Sequence, residues 1–304
     1  MISFHERVAI VTGAGKGLGR AYALDLAARG ARVLVNNRRR PGAVEPASAD
    51  ETVEAIRRAG GEAIANYDSV EDPSAGERMV QQALDTWGRI DVLVNNAGVD
   101  QHATFHKVSL EEFRRIFEIN FFGSVYVTHA AYSRMREAGY GRIVVSTSAA
   151  GLHGLHGLSA YAASKAALIG LIRTLAAEGR SRNVLANAIA PFAATPMTVR
   201  QGSLPESFAT TMRAELVAPM VALLVSEQTQ INGQIIVAGK GAFRRAASVE
   251  GPGVGYSRVE ELTPDTLERD VGRILNMEGA VEFSDAMASF QDLFDRHPGM
   301  NGRR

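Results

Sequence analysis

Residues 141–180 read GRIVVSTSAAGLHGLHGLSAYAASKAALIGLIRTLAAEGR and contain the pattern that decides the fold. The run of β-branched residues at Arg142–Ser146 predicts a buried strand. A loop rich in Gly, Ser and His follows, and the Ala- and Leu-rich remainder predicts a long helix. Because Tyr161 and Lys165 are four residues apart near the start of this helix, they share one of its faces. Ser148 lies just past the carboxyl end of the strand, where open α/β sheets bind their ligands.

Tyr161, Lys165 and Ser148 together indicate proton chemistry. A phenol with a pKa of about 10 is a poor acid or base at neutral pH. We expect the ammonium of Lys165 to favour the phenolate and to lower the pKa of Tyr161. Ser148 is expected to hydrogen-bond the same substrate oxygen and to stabilise the charge that develops there. The competing interpretation is a surface Tyr and Lys on an ordinary helix, and the Y-x-x-x-K spacing by itself favours that interpretation.

Composition and charge exclude several classes of protein. The chain has 304 residues, of which 46% are hydrophobic and 22% charged, as expected for one large α/β domain. Lys plus Arg and Asp plus Glu both number 33, so we expect neither a nucleic-acid nor a membrane partner. The absence of cysteine excludes disulfides, thiolate metal ligands and a Cys nucleophile. The amino-terminal MISFHERVAIVTG carries charges where a signal peptide would be apolar, and no apolar run reaches the length of a membrane span. We therefore expect a cytoplasmic protein.

A glycine-rich loop near the amino terminus predicts a dinucleotide site. Arg7–Thr12 is predicted to be the first strand, and it leads directly into TGAGKGLG at residues 12–19. Arg20–Arg29 has helical composition and stops at Gly30. This arrangement suits a pyrophosphate, because glycines let the backbone approach closely and the helix supplies N–H donors. The spacing is T-G-x-x-x-G-x-G and departs from G-x-G-x-x-G, since residue 18 is Leu. A plain turn is the competing interpretation.

The residues after the second predicted strand, Arg32–Asn36, bear on the choice of cofactor. NAD-binding folds often have an acidic residue here, whereas an Arg accommodates the 2′-phosphate of NADP. This chain has Asn37 followed by Arg38–Arg40, so no carboxylate repels a phosphate and guanidinium groups can attract one. The predicted cofactor is NAD or NADP, with a slight preference for NADP. A solvated basic loop is nearly as consistent with the pattern.

Repeated strand–helix units along the chain predict the fold class. We expect an α/β fold with a Rossmann-type, doubly wound parallel sheet of about seven strands and helices on both faces. Residues 1–240 are predicted to form this dinucleotide-binding catalytic domain. Within it, Ser109–Glu137 reads as helical, and Asn120 in its middle has either a functional role or a solvated position.

Residues 241–304 are predicted to be a C-terminal helical extension, packed on the same domain or on a neighbouring subunit. Gly241–Gly255 is too glycine-rich to be expected in the core sheet, whereas Thr263–Asn276 and Val281–Phe294 have helical composition. The apolar residues of Val281–Phe294 fall mostly at spacings of three and four, so this helix should bury one face. Two roles of this extension stay open. It covers an acyl pocket, or it packs on the surface through which a dimer forms.

Taken in order, the motifs resemble those of the short-chain dehydrogenases/reductases over residues 6–239. The matching elements are TGAGKGLG at 12–19, NNAG at 95–98, Asn120, Ser148, YAASK at 161–165 and the loop at 191–195. The resemblance implies a catalytic tetrad of Asn120, Ser148, Tyr161 and Lys165. In that family the Tyr is the acid/base and the Ser positions the carbonyl. The Lys binds the nicotinamide ribose while lowering the Tyr pKa, and the Asn holds a water in the proton relay.

The resemblance also implies which residues bind the cofactor. These are Gly13, Lys16, Gly17, Leu18, Gly19, Asn37, Arg38, Asp68, Ser69, Asn95, Ala97, Gly98, Tyr161, Lys165, Pro191 and Thr195. The candidate substrate-pocket residues are His153, Leu155, His156, Phe192 and Met197. The two histidines lack further ligands at metal-binding spacing, so no metal site is expected.

Within the family, several stretches resemble the (3R)-hydroxyacyl-CoA dehydrogenase module of peroxisomal multifunctional enzymes, namely GRAYALDLAARGA, ANYDSVED, GRIDVLVNNAG, YGRIVVSTSA, LAAEGRSRNV and AELVAPMVALL. This implies an NAD(P)-dependent oxidoreductase that interconverts a 3-hydroxyacyl-CoA and a 3-oxoacyl-CoA, with proton transfer coupled to hydride transfer. That module has an Asp near Asn37, the family has Gly where this chain has Phe192, and the tail after residue 239 is not covered. The alternatives are a reductase for a steroid, an acyl-carrier-protein thioester or another bulky carbonyl, and a non-enzymatic dinucleotide-sensing regulator. The intact tetrad argues against the regulator.

The protein is also predicted to be a homodimer or homotetramer. The predicted helices at Ser109–Glu137 and Tyr161–Ala177 are long, and the second carries many small residues. Small residues permit close packing against a symmetry mate, and closed homo-oligomers are the common form of assembly. The expected small-molecule substrate, an acyl-CoA, completes the predicted partners.

Overall fold

Eight strands form one sheet in the order β3-β2-β1-β4-β5-β6-β7-β8 in the computed structural model, which describes residues 1–39, 48–195 and 206–296. The strands are β1 Val8–Val11, β2 Arg32–Asn36, β3 Glu62–Asn66, β4 Val92–Asn95, β5 Gly141–Ser146, β6 Val184–Pro191, β7 Ile235–Gly239 and β8 Ala242–Ala246. Strands β1 to β7 pair in parallel. The predicted Rossmann-type fold class is therefore confirmed, with eight strands where about seven are predicted.

Helices lie between the parallel strands and after the last strand of the chain. Among the described residues they are α1 Gly17–Ala28, α2 Ser48–Arg58, α3 Ala75–Trp87, α4 Leu110–Phe117, α5 Gly123–Ala138, α6 Ala149–His153, α7 Ser159–Gly179, α8 Glu206–Thr211, α9 Ala218–Leu224, α10 Pro264–Ile274 and α11 Ala286–Arg296. Helices α1 to α9 lie in the connections between the parallel strands, and α10 and α11 follow the last strand. A π-helical turn, Glu118–Phe122, joins α4 to α5. Parallel strands need a crossover connection, and a helix supplies it while covering an apolar face of the sheet.

The strand order fixes where a ligand can bind. From β1 the chain winds outward through β2 and β3, and then returns to β4 on the other side of β1. Strands β1 and β4 pair directly, with Val11 opposite Val94. Because the order reverses between these two strands, the crevice at their carboxyl ends is the topological switch point. The glycine-rich loop and the NNAG stretch both follow these carboxyl ends.

The core lies on both faces of the central strands. Strands β1, β4 and β5 are buried along their whole length because helices cover the sheet from both sides. On one face, Val11 and Val94 belong to a cluster with Tyr22 and Leu26 of α1 and Val221 of α9. Burial of an apolar side chain of this size contributes about 1.5–3 kcal/mol, which explains the uninterrupted apolar runs in these strands.

The sheet has an edge strand that the sequence does not predict. The prediction that Gly241–Gly255 would not extend the sheet is wrong, because Ala242–Ala246 forms β8 beside β7. A two-residue turn joins the two strands, and both Lys240 (φ 54°) and Gly241 (φ 73°) are left-handed. The twist of such a turn matches that of the paired strands, which makes it a favoured hairpin connection.

The chain forms two compact units, Met1–Arg245 and Ala246–Arg304. Within the second unit, helices α10 and α11 lie where helical composition predicts them. Among the described residues of these two helices, none has a buried side chain. No described helix has the length and apolar character needed to cross a membrane.

The last helix begins later than its apolar spacing predicts. Val281 forms an antiparallel bridge with Glu250, with two backbone hydrogen bonds of 2.9 Å. Helix α11 starts only at Ala286, because the Asp285 carboxylate accepts hydrogen bonds of 3.0 Å from the first free N–H groups. The prediction of one helix over Val281–Phe294 is therefore wrong at its amino-terminal end.

Candidate active site

The glycine-rich loop makes a tight turn between β1 and α1. Gly13 and Gly17 have left-handed backbones, with φ of 63° and 56°, which glycine adopts without strain. A Cβ on Gly13 would lie 2.8 Å from the Cα of Ala97, and one on Gly19 would collide with the Gly13 carbonyl oxygen. Helix α1 begins at Gly17, so its first N–H groups are available to an anion at this end of the sheet. Of the other predicted loop residues, Lys16 is exposed and Leu18 is half-buried.

Thr12 connects this loop to the NNAG stretch. Its hydroxyl accepts hydrogen bonds from the backbone N–H groups of Asn96 at 3.0 Å and Ala97 at 3.1 Å. The Asn96 side chain donates in return to the carbonyls of Thr12 at 3.2 Å and Gly13 at 3.4 Å. The two stretches that the sequence predicts for cofactor binding are therefore held together by hydrogen bonds.

Asp68 lies beyond the carboxyl end of β3 in a network of amide side chains. Its carboxylate accepts from Arg78 at 2.7 Å and from Asn66 at 2.8 Å. Asn36, at the end of β2, donates to the Asp68 carbonyl at 2.9 Å and to the Asn66 side chain at 2.8 Å. The network fixes Asp68 at the same edge of the sheet as the glycine-rich loop.

The residues that are predicted to set the preference between NAD and NADP lie on the surface beside β2. Asn37 donates to the Ser48 hydroxyl at 2.7 Å. A guanidinium nitrogen of Arg38 lies 3.7 Å from the Glu71 carboxylate, and the Ser69 hydroxyl donates to the same carboxylate at 3.0 Å. Glu71 is missing from the sequence predictions, since only the pairing of β2 with β3 brings it beside Arg38. Arg40 lies outside the described residues.

Lys165 is a buried ammonium on α7. The residue is 4% exposed, and burial lowers its pKa from 10.5 to about 8. Its Nζ donates to the Ser146 carbonyl at 2.7 Å, and a Cβ on Gly98 would lie 3.3 Å from it. The Thr147 hydroxyl donates to the Lys165 carbonyl at 2.7 Å and holds α7 against the end of β5. The ammonium therefore sits at the switch point, next to the glycine of NNAG.

The expected lowering of the Tyr161 pKa is wrong for the described structure. Burial raises the pKa of this phenol, a hydrogen bond with Ser148 opposes the change, and the charge of Asp100 adds to it. The Nζ of Lys165 lies 5.8 Å from the centre of the ring and is engaged by the Ser146 carbonyl. Loss of water around the phenol is therefore the largest effect on its pKa, and the opposing effect comes from Ser148 and not from the ammonium.

Ser148 begins a short helix where the sequence predicts a loop. It is the N-cap of α6, Ala149–His153, and its Oγ accepts a hydrogen bond from the Ala150 N–H at 3.1 Å. Because one lone pair is occupied in this way, the hydroxyl keeps its proton for another acceptor. Ser148 also acts to lower the pKa of Tyr161, so the structure places these two predicted catalytic side chains close to each other.

Asn120 is fully buried on the π-turn, which excludes the solvated position. Its Oδ1 accepts from the Val99 N–H at 2.8 Å, and its Nδ2 donates to the Val99 carbonyl at 2.9 Å. The Nδ2 also donates to the Ser164 hydroxyl at 3.1 Å. A π-turn departs from the regular hydrogen-bond ladder, and such turns are frequent at functional sites.

The described candidate substrate residues are exposed, with His153 at the end of α6 and the others in loops. Leu155 is 60% exposed and Phe192 is 43% exposed, and His153 and His156 are exposed as well. Met197 lies outside the described residues. The pocket that these residues are expected to form therefore stays a prediction. No cluster of metal-ligating side chains occurs among the residues that the structure describes.

Comparison with known proteins decides the family. A family model described as short chain dehydrogenase matches residues 7–204. The chain belongs to the short-chain dehydrogenases. These enzymes are oxidoreductases that act on CH–OH groups and use NAD(P) as the cofactor.

Three similar proteins show how much of this short-chain dehydrogenase matches known sequences and structures. Peroxisomal multifunctional enzyme type 2 of Mus musculus is 42% identical over 289 residues, which are 94% of this chain and 38% of the mouse protein. The structure of the full-length enzyme of that name from Drosophila melanogaster has a TM-score of 0.83 and 33% identity, over 97% of this chain and 50% of that chain. A short chain dehydrogenase from Mycobacterium avium has a TM-score of 0.80 and 34% identity, over 90% of this chain and 96% of that chain. The chain thus spans half or less of these two multifunctional enzymes, the mouse and the Drosophila proteins.

The residues at the switch point of this short-chain dehydrogenase fit a nicotinamide dinucleotide. Side chains at Gly13 and Gly19 would fill the cradle beside the start of α1. The buried Asn95 donates to Thr128 at 2.7 Å, while its Oδ1 has no partner among the described residues. A buried acceptor of this kind is rare and is suited to a donor from a ligand. The Lys165 ammonium supplies further N–H donors at the same end of the sheet.

Proposed function

We propose that the protein interconverts 3-hydroxyacyl-CoA and 3-oxoacyl-CoA thioesters, with NAD(P) as the hydride carrier. One observation carries the proposal, the buried ammonium of Lys165 beside Tyr161, Ser148 and Asn120 at the switch point of the sheet. The resemblance of the motifs to the (3R)-hydroxyacyl-CoA dehydrogenase module supports an acyl-CoA as the substrate. The match of 94% of this chain to the mouse multifunctional enzyme agrees with that choice.

Tyr161 is proposed to transfer the proton. In ketone reduction the phenol donates its proton to the substrate oxygen, and in alcohol oxidation the phenolate accepts one. Burial raises the pKa of Tyr161 and keeps the phenol protonated at neutral pH, which suits the donor role. Ser148, with one lone pair held by the Ala150 N–H, directs its own proton to the same substrate oxygen. The bound dinucleotide supplies or accepts the hydride.

Lys165 and Asn120 are proposed to support this proton transfer. Lys165 has a pKa of about 8, so it is mainly an ammonium at pH 7 and would hold the nicotinamide ribose through its free N–H groups. Its positive charge stabilises a phenolate on the same face of α7. Asn120 lies on the π-turn beside Val99, where it would hold a water in the proton relay.

For the cofactor, the proposal is that both dinucleotides bind, with a small preference for NADP. Asn37 presents no carboxylate to a 2′-phosphate, and Arg38 presents a guanidinium. The Glu71 carboxylate, 3.7 Å from Arg38, competes with such a phosphate and keeps the preference small.

The proposed assembly is a homodimer or homotetramer. Leu110 of α4 is 69% exposed and Phe122 of the π-turn is 40% exposed, so association through these elements would remove apolar surface from water. A monomeric mass at micromolar concentration would contradict the assembly. The cytoplasmic location also stays a proposal, which cell fractionation tests.

Initial rates with short, long and steroid-derived 3-hydroxyacyl-CoAs, with free steroids and with acyl-carrier-protein thioesters, each with NAD and with NADP, test the proposed function. We expect turnover of at least one acyl-CoA, and loss of that turnover in a Tyr161→Phe control that still binds the dinucleotide. Turnover restricted to free steroids or to acyl-carrier-protein thioesters would favour the alternative reductases. Dinucleotide binding without turnover of any of these substrates would favour the regulator.

A further inference from the structure

Ser164 is a buried hydroxyl between two elements of the candidate site. It precedes Lys165 on α7 and is 0% exposed. Its Oγ donates to the Tyr161 carbonyl at 2.8 Å and accepts from the Nδ2 of Asn120 at 3.1 Å. Asn120 belongs to the π-turn, 44 residues earlier in the chain. One hydroxyl therefore joins the two elements that carry three of the four tetrad residues.

The chemistry of the two partners fixes the direction of both bonds. A backbone carbonyl can only accept, so the hydroxyl proton of Ser164 points to the Tyr161 carbonyl. The hydroxyl can then only accept from its second partner, which selects the amino group of the Asn120 amide over its oxygen. In this orientation the Oδ1 of Asn120 is free to accept the Val99 N–H at 2.8 Å.

The oriented amide fixes the backbone next to the ammonium. A Cβ on Gly98 would lie 3.2 Å from the Oδ1 of Asn120 and 3.3 Å from the Nζ of Lys165. A rotated amide would bring its NH₂ group against the N–H of Val99, and two donors would then face each other. We propose that Ser164 is a positioning residue that holds the Asn120 amide in one orientation and so keeps Asn120 in place relative to Tyr161 and Lys165. This proposal rests on the function proposed for the tetrad.

A purely local role is the competing explanation. A helical Ser often bonds back to a carbonyl one turn earlier, and that bond alone concerns the helix and not the site. Ser164 differs because its second bond crosses to another element and both partners are buried. Replacing it with Ala removes an acceptor and leaves a buried N–H of Asn120 without a partner, which destabilises that orientation.

Ser164→Ala tests the proposal, with Ser226→Ala as the matched control. Ser226 is also 0% exposed, and its hydroxyl donates to the Leu223 carbonyl at 2.9 Å. In Ser164→Ala we expect kcat to fall about 10- to 100-fold, as for a small displacement of a reacting group. We expect the KM for acyl-CoA and the Kd for NAD(P) to stay near the wild-type values. Both variants remove a buried hydroxyl, so we expect them to lose similar amounts of thermal stability. In Ser226→Ala we expect kcat to stay at the wild-type value. Equal kcat values in the two variants would overturn the proposal.

A double-mutant cycle with Asn120→Ala separates positioning from a direct role. If Ser164 acts through Asn120, then Ser164→Ala lowers kcat much less in the Asn120→Ala background than in the wild type. Losses that multiply independently would mean that Ser164 acts on something other than Asn120, and would overturn the proposal.

Hydrogen exchange of the Asn120 side-chain amide provides a readout that needs no turnover. We expect faster exchange in Ser164→Ala and unchanged exchange in Ser226→Ala, because only the first variant removes an acceptor from that amide. Failure of the wild type to turn over any acyl-CoA would contradict the proposed function alone. Unchanged exchange at Asn120 in Ser164→Ala would contradict the positioning role, even in an active enzyme.

Discussion

Lys165 and Arg142 are buried cations at opposite ends of the sheet, and they differ in how their donors are satisfied. At the amino end, the Arg142 guanidinium lies 4.3 Å from the centre of the Tyr140 ring. It donates at 2.9, 2.9 and 3.2 Å to three backbone carbonyls, those of Gly141, Asn183 and Ser226. At the carboxyl end, the Lys165 ammonium makes one hydrogen bond within the described residues, to the Ser146 carbonyl.

Under the proposed function, the contrast is between a cation that stabilises the fold, Arg142, and one that serves the reaction, Lys165. Burial lowers the pKa of both residues, since each loses water. For Arg142, hydrogen bonds from the chain itself replace that water. For Lys165, two N–H groups are left for a ligand, so the protein tolerates an unfavourable charge where it needs one. At the amino end the chain itself satisfies the cation with three carbonyls, whereas at the carboxyl end donors of the cation remain available to a ligand.

The largest expected effect is the loss of the proton donor at the carboxyl end. Tyr161→Phe keeps the ring and removes the transferable proton, so kcat should fall by about 10²- to 10⁴-fold with the dinucleotide Kd unchanged. Steady-state rates and a fluorescence titration with NAD(P)H measure the two quantities. A variant within a few-fold of wild-type kcat would show that Tyr161 is not the acid/base.

Exchanging each cation for Met should separate stability from activity most directly. Lys165→Met is expected to lose turnover yet to unfold at higher urea. The gain is at most about 3 kcal/mol, since burial lowers the Lys165 pKa from 10.5 to about 8 and each pKa unit corresponds to about 1.4 kcal/mol. Arg142→Met should keep its turnover and lose about 1–3 kcal/mol of stability, because three backbone carbonyls lose the guanidinium as a hydrogen-bond donor. Loss of stability in both variants would break the comparison.

The pH dependence of stability checks the cause of the Lys165 effect. The folded-state pKa of about 8 lies below the unfolded-state value of 10.5. The unfavourable burial of the charge is therefore fully present below pH 8 and disappears as the pH rises towards 10.5. The wild type should gain stability relative to Lys165→Met over this interval. Parallel stability curves for the two proteins would show that burial of the charge is not the cause.

A smaller effect is expected where charges are exposed. Arg38→Ala should lower kcat/KM for NADP, and Glu71→Gln should raise it, each roughly two- to fivefold, as for an exposed ion pair. Rates with NAD should change little, because its adenosine ribose carries no phosphate. Arg58→Ala is a suitable control, since Arg58 is an exposed arginine that pairs with Glu54. Unchanged NADP kinetics in Arg38→Ala would leave Arg38 as a surface charge.

The smallest effect is expected from removing the second unit. Deletion of residues 249–304 removes nearly all of the second unit and leaves strand β8 intact. If the tail shapes substrate binding, the KM for long acyl-CoAs should rise, with NAD(P) affinity and oligomer mass unchanged. If the oligomer mass falls and the acyl-chain preference persists, the tail is an assembly element and the cover hypothesis is wrong. Light scattering and a chain-length series measure both.

Local patterns predict the fold well, because periodicity, glycine spacing and β-branched runs act over a few residues. The spacing of Tyr161 and Lys165 on one helix is of this kind. Contacts between distant elements have no such signal, so the pairing of Ser164 with Asn120 is absent from the predictions. The pKa of Tyr161 is mispredicted for a related reason, since burial depends on the whole fold and outweighs a neighbour four residues away.

The π-turn at Glu118–Phe122 also has a consequence for insertions and deletions. A π-turn accommodates one residue more than an α-helical turn, so it amounts to a one-residue insertion in a continuous helix. Deleting one residue from the turn would restore regular α-helix from α4 into α5 and improve the local backbone bonding. The flanking halves of the helix would keep their register, but the widened turn that places the Asn120 amide against Val99 would be lost. The variant with the more regular helix would therefore lose the proposed activity. Insertions and deletions at this turn should be tolerated far less than in the loops on either side.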